Sequence, residues 1–258
     1  MTKYFILIIS LIYLSFFIFL PLLTLLLEIF SNGILVLLCT YLDENLLYAL
    51  GLTFYTVFVI IPFNSLIGLW IAWILTHYKF FGRKFLLFIL DIPLTLSPII
   101  LGLMIVLLYS KHSYLGSILL KLGIQITYHF LGILLTVQFI TLPLIPKQVI
   151  PILLTINKQE EEAAKILGAN SWQVFWLIVF PYIKSAFLSG TILNTARIIG
   201  EFGAVLIVSG NLIGKTQTLT LFLEQSYKEY QTYISNAIAL LLILLSLFFL
   251  YCRKYLLL

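Results

Sequence analysis

The sequence is poor in charge, in cysteine and in histidine. Of its 258 residues only 10% are Asp, Glu, Lys or Arg, against 62% hydrophobic. Soluble domains carry about 25% charged and about 45–50% apolar residues. This much apolar side chain cannot be hidden in a soluble fold, so an ordinary cytosolic enzyme is excluded. Intrinsic disorder needs low hydrophobicity and high charge, and is excluded by the same figures. The two cysteines, Cys39 and Cys252, lie far apart with no C-x-x-C, and read as inert apolar thiols. His77, His112 and His129 fall in separate segments and offer neither a metal pair at i, i+4 nor a triad. No metal or cofactor site is expected. The short alternating segments of an outer-membrane barrel are missing too.

What the chain has instead is long apolar runs. A membrane span needs about 20 apolar residues. Six runs qualify, over 5–27, 46–75, 85–109, 130–150, 186–209 and 234–251. The reading is a single all-α membrane domain over residues 1–258 with about six spans. The first run exceeds the 7–15 residues of a signal peptide and has no A-x-A site after it, so a retained helix is expected. The aliphatic residues are mostly Leu and Ile, with Phe, Tyr, Lys and Asn well represented. That bias suits an A+T-rich genome, in an organelle or a reduced bacterium. No Arg- and Ser-rich transit segment precedes the first run, so synthesis inside the organelle is expected.

Orientation follows from Lys and Arg, which concentrate on the inner side. With the N-terminus inside, ten of the 15 basic residues lie in inner segments: Lys3, Lys79, Arg83, Lys84, Lys147, Lys158, Lys165, Lys184, Arg253 and Lys254. The outer loops hold Lys111, Lys121, Lys215 and Lys228, and Arg197 falls within a span. Both termini are therefore expected inside.

The inner loop from Asn157 to Pro181 is the most informative stretch. Asn157 can cap a helix whose first turn carries Glu160, Glu161 and Glu162, where carboxylates complement the helix dipole. Ala163, Ala164 and Leu167 form a small apolar face. Gly168 ends the helix as a C′ residue. Ser171 is expected to cap a second helix from Trp172 toward Phe180, with Pro181 near its end. Such a loop suits either insertion into a groove of a partner protein or a connector on the membrane surface.

The register of Glu162-Ala163-Ala164, Gly168, Ile178 and Pro181 resembles the permease subunits of binding-protein-dependent ABC importers. Phe180 stands where that family has Leu. The resemblance implies the type I permease fold and makes residues 157–181 a coupling loop, with Glu161 beside the motif. It also implies partners: ABC ATP-binding subunits, a second permease subunit and an external anion-binding protein, all beside the lipid bilayer and without nucleic acid. Over residues 46–250 the likeness is to the sulfate and molybdate importers. It is carried by Asp91-Ile92-Pro93, Leu115-Gly116, Thr141-Leu142-Pro143 and the stretch Ala196 to Ala204. Ile207 to Asn211 and Leu223-Glu224-Gln225 resemble the sulfate branch, whereas Gly214 to Leu219 resembles the molybdate branch. Sulfate is favoured, with molybdate or tungstate as the alternative. The permease pair would be two different chains for sulfate and two copies for molybdate. The nearest likeness is to the T-type permeases encoded in plastids, which implies a plastid inner membrane, a bacterial plasma membrane being the alternative.

Ionisable residues inside a span are costly and ask for a reason. Arg197 and Glu201 are four apart and share a helix face. They read either as an ion pair that lowers the insertion cost or as a pair lining an anion route. Gly200 and Gly203 beside them allow close helix approach or a local break. Asp91, at the inner end of the third span, is expected to cap its helix or to pair with Arg83 or Lys84. Gly210 to Thr216 approaches a phosphate-binding loop but has three residues between its glycines where four are needed. It reads as a turn. With no nucleotide loop, the chain is expected to be non-catalytic. The rival readings are an ion-driven carrier or channel and an intramembrane enzyme.

Overall fold

A computed structural model describes residues 2–31, 33–156 and 158–257, and every regular element among them is helical. Five helices among the described residues are long and apolar enough to cross a membrane: Ile9–Ser31, Glu44–His77, Phe130–Thr155, Ser171–Ile199 and Thr232–Tyr255. They are the first, second, fourth, fifth and sixth of the expected spans. The third is not one straight helix. It consists of Arg83–Thr95 and Pro98–Tyr109, bent by 108°. A residue before proline is pushed out of the helical region. Leu96 and Ser97 are accordingly extended, and Pro98 opens the next helix at its first position.

The fifth span also departs from expectation, at both ends. It begins at Ser171, so the expected second loop helix is its first turns. Proline lacks an N–H and collides with the carbonyl four residues back. The widened π turn Phe175–Val179 absorbs that collision, and the helix runs on through Pro181. The π turn Ser15–Phe19 stands at the same offset before Pro21 in the first helix. At its far end the fifth span stops at Ile199. Residues 200–202 are irregular, and a short helix, Gly203–Ser209, follows.

The second, fourth and fifth spans form the centre of the bundle. Ile145 of the fourth is gripped between two glycines: a Cβ on Gly68 would lie 3.1 Å from its side chain, and one on Gly190 3.2 Å from its Cα. Small residues of this kind let helix backbones approach in a membrane. One turn away lies a fully buried polar layer of Asn64, Thr141 and Asn194, where Asn64 Nδ2 donates to Thr141 Oγ1 at 2.8 Å. The first helix is peripheral, with its span-length window wholly unburied. It is tied in near its end, where Ile29 is buried and Asn236 Nδ2 donates to Glu28 Oε2 at 2.5 Å.

All four tryptophans gather at one place. Trp70 and Trp73 come from the last turns of the second span, Trp172 and Trp176 from the first turns of the fifth. Trp172 meets Trp176 edge-on at 5.6 Å, Trp73 meets Phe175 at 5.4 Å, and Trp70 and Trp172 remain exposed. Tryptophan favours the membrane–water boundary, and this cluster marks one such level.

Candidate functional site

The connection between the fourth and fifth spans carries a nine-residue helix, Lys158–Ile166. Asn157, its expected cap, lies outside the described residues. The other end is fully resolved as a Schellman motif. Gly168 takes φ +92°, its N–H donates to Lys165 C=O, and Ala169 N–H donates to Ala164 C=O, both at 3.0 Å. The next helix is capped by Asn170, not by Ser171. Asn170 Oδ1 accepts from Gln173 N–H at 2.8 Å while Gln173 Oε1 accepts from Asn170 N–H at 2.9 Å. An amide side chain one residue earlier closes this reciprocal box with Gln173, which outcompetes the serine.

The three carboxylates of the nine-residue helix point three ways. Glu160 Oε2 accepts from Tyr182 Oη on the fifth span at 2.9 Å. Glu161 turns inward and is 6% exposed, with His77 Nε2 at 3.2 Å from its Oε1. Glu162 is exposed. Ala164 packs half-buried on a core of Ala72, Ile145, Val149, Leu153, Val174, Val179 and Ile183. The expected small apolar face is thus divided: Ala164 points in, whereas Ala163 is exposed and Leu167 stands out with Ile166. Ile178 is half-buried and Pro181 exposed.

A second cluster forms at the break in the fifth span. Arg197 Nη2 lies 3.1 Å from Glu201 Oε2; the Glu201 side chain is 1% exposed and that of Arg197 44%. The spacing i, i+4 suggests a continuous helix face, but the helix ends at Ile199 and Glu201 sits in the irregular segment. There Glu201 Oε1 accepts weakly from Ala204 N–H at 3.4 Å, and Thr220 Oγ1 donates to the Glu201 carbonyl at 2.8 Å. Irregular backbone survives in a membrane only where its polar groups find partners. Gly203 and Gly102 bring the short helix against Pro98–Tyr109. A Cβ on Gly102 would lie 2.7 Å from the Ala204 carbonyl oxygen, and one on Gly203 3.2 Å from Ile99. A Cβ on Gly200, by contrast, would make only an ordinary contact of 3.5 Å with the Ala196 carbonyl oxygen. Asp91 belongs to a different contact. Its carboxylate pairs with Lys147 of the fourth span, not with Arg83 or Lys84, and neither side chain is buried. Both basic candidates stand at the start of the Asp91 helix, about two turns away along a 5.4 Å pitch, beyond a short carboxylate's reach.

The family model for the binding-protein-dependent transport system inner membrane component matches residues 64–256. The chain belongs to this family. The permease is 43% identical over 235 residues to "Sulfate permease 2, chloroplastic" of Chlamydomonas reinhardtii, an alignment covering 91% of this chain and 64% of that protein. It is 40% identical to the sulfate transport system permease protein CysW of Synechocystis, over 95% of this chain and 89% of that one. To the probable sulfate transport system permease protein cysT of Zygnema circumcarinatum it is 34% identical, over 94% and 84%. Its fold matches that of a bacterial ABC transporter involved in import of the polysaccharide alginate, with a TM-score of 0.81 at 16% identity, covering 98% and 95% of the two chains. The permease is therefore a multi-pass membrane protein with the ABC importer permease fold.

Two groups of the permease escape sequence reading. His77 looks like an isolated boundary residue, because its partner Glu161 is 84 positions away. Asn64 and Asn194 look like ordinary polar interruptions of apolar runs. Only helix packing brings Asn64 to Thr141, 77 positions on.

Proposed function

We propose that this permease is the transmembrane subunit of an ATP-dependent importer of sulfate. The carrying observation is its 40–43% identity, over 91–95% of its length, to relatives named as sulfate permeases. In this reading ATP hydrolysis belongs to separate ATP-binding subunits on the inner face, and both termini of the permease are inside. A second, different permease chain completes the pathway, and an external binding protein delivers the anion. The plastid inner membrane is the favoured location.

The helix Lys158–Ile166 acts as the coupling element. With Leu167 just beyond its end, it presents Glu162, Ala163, Lys165 and Ile166 outward, a mixed apolar and charged surface suited to a groove in an ATP-binding subunit. Gly168 fixes its exit angle, and Ile178 and Pro181 shape the start of the span it drives. The Arg197–Glu201 pair, with Gly200 and Gly203, borders the anion route, and Asp91 with Lys147 forms a separate neutral pair. A lone Arg197 would hold a dianion tightly. Neutralised by Glu201, it attracts one weakly enough to release it, as transit requires.

Uptake of labelled sulfate tests this reading, in membranes holding the permease with its ATP-binding subunits, second permease and binding protein. ATP-dependent uptake that excess molybdate barely reduces is expected. ATP-dependent uptake of molybdate in place of sulfate would reassign the substrate and keep the mechanism. Uptake indifferent to ATP would sink the importer reading.

A further inference from the structure

We propose that His77 is a positioning residue that, through Glu161, fastens the nine-residue helix to the second span, so that displacement of the one is passed to the other. The inference rests on the coupling role proposed above and goes beyond it by naming the joint. Adjacent residues on a helix point about 100° apart, and here that turn separates the two carboxylates. Glu162 faces out and Glu161 faces the bundle. Burying a carboxylate is costly unless it is paired. Its partner is His77 Nε2 at 3.2 Å, and since an ionised carboxylate only accepts, the imidazole donates.

His77 is itself held in place. Its ring lies flat on Trp73, with centroids 3.6 Å apart and planes 16° from parallel. With Nε2 donating, the Nδ1 of a neutral ring accepts, and Thr76 Oγ1 lies 3.0 Å from it. A ring fixed on its face and on its far nitrogen transmits force with little slack. The joint borders a cavity of about 320 Å³ whose lining includes Tyr78, Glu162 and Lys165, the charged and titratable neighbours facing it. A second tether, Tyr182 Oη to Glu160, runs to the fifth span. The short helix is thus fastened to two spans by two neighbouring carboxylates, leaving Glu162 for a partner.

The test uses the full complex in proteoliposomes and reads sulfate imported per ATP hydrolysed, with co-purification of the ATP-binding subunits read separately. His77→Phe keeps a ring on Trp73 and loses the donor. It is expected to co-purify normally and to import about tenfold less per ATP, the equivalent of one hydrogen bond to a charged group. His77→Gln restores a donor and should recover most of the ratio. Glu161→Gln keeps an acceptor without the charge and should fall between the parental ratio and that of His77→Phe, whereas Glu161→Leu should fall with His77→Phe. A parental ratio in His77→Phe would overturn the joint. So would loss of co-purification in both His77→Phe and His77→Gln, which would make His77 a structural residue only. Parental complexes that import without ATP would overturn the coupling role itself, and the joint with it.

Discussion

Arg197 and Glu201 are unequal partners, because the carboxylate is almost wholly buried while the guanidinium is nearly half exposed. Removing one member of a buried pair strands the other. Arg197→Gln strands Glu201 in a low-dielectric site and should destabilise the fold by about 3 kcal/mol. Glu201→Gln strands only a half-exposed cation and should cost less, about 1 kcal/mol. The double variant should recover most of the loss, and thermal unfolding in detergent measures all three. Glycines divide just as sharply. A Cβ on Gly102 meets a backbone oxygen at 2.7 Å, which cannot swing aside, so Gly102→Ala should cost about 1–3 kcal/mol. Gly51 lies within a helix with nothing in reach of a Cβ, and Gly51→Ala should gain about 0.5–1 kcal/mol in the same assay.

Among the elements, the fifth span owes its unbroken course to one widened turn. Pro181→Ala removes the reason for that turn, and the segment Phe175–Val179 should relax to ordinary helix. Each residue before it then rotates about the axis by about 100° relative to the span. Cysteines placed singly at 171, 172 and 173 should exchange their order of labelling by a water-soluble maleimide. Gly168→Ala forces a Cβ into φ +92° and should cost about 1–2 kcal/mol, loosening the short helix and weakening retention of ATP-binding subunits on a column. These elements also show what a sequence can reveal. The spans are legible because lipid imposes a length and a composition, and the end at Gly168 is legible because the motif is local. The break at Ser97–Pro98 is not, because an apolar run reads alike whether its helix bends or continues. Nor is the contact of Glu161 with His77, since nothing near either residue announces the other. The same holds for Lys147, whose partner Asp91 lies on another span.

Taken whole, the molecule is a packed centre of three spans with the first helix leaning on its edge. Deleting residues 1–31 removes a helix whose span-length window buries nothing. The remainder should still elute as a single folded species in fluorescence-detected size-exclusion chromatography, with an aggregated profile counting against the peripheral assignment. The centre is less forgiving. Asn194 is fully buried with neither amide atom hydrogen-bonded among the described residues, and burying such groups unpaired costs about 1–3 kcal/mol each. The polar layer is thus a reserve of unsatisfied bonding inside an otherwise greasy interior. The gathering of all four tryptophans has an optical consequence. Under excitation at the red edge of protein absorption, emission arises only from the level where the second span ends and the fifth begins. The natural chain therefore carries its own gauge of movement there. A shift in its colour when nucleotide binds a complex whose other subunits have had their tryptophans replaced would report rearrangement beside the short helix, with no label attached.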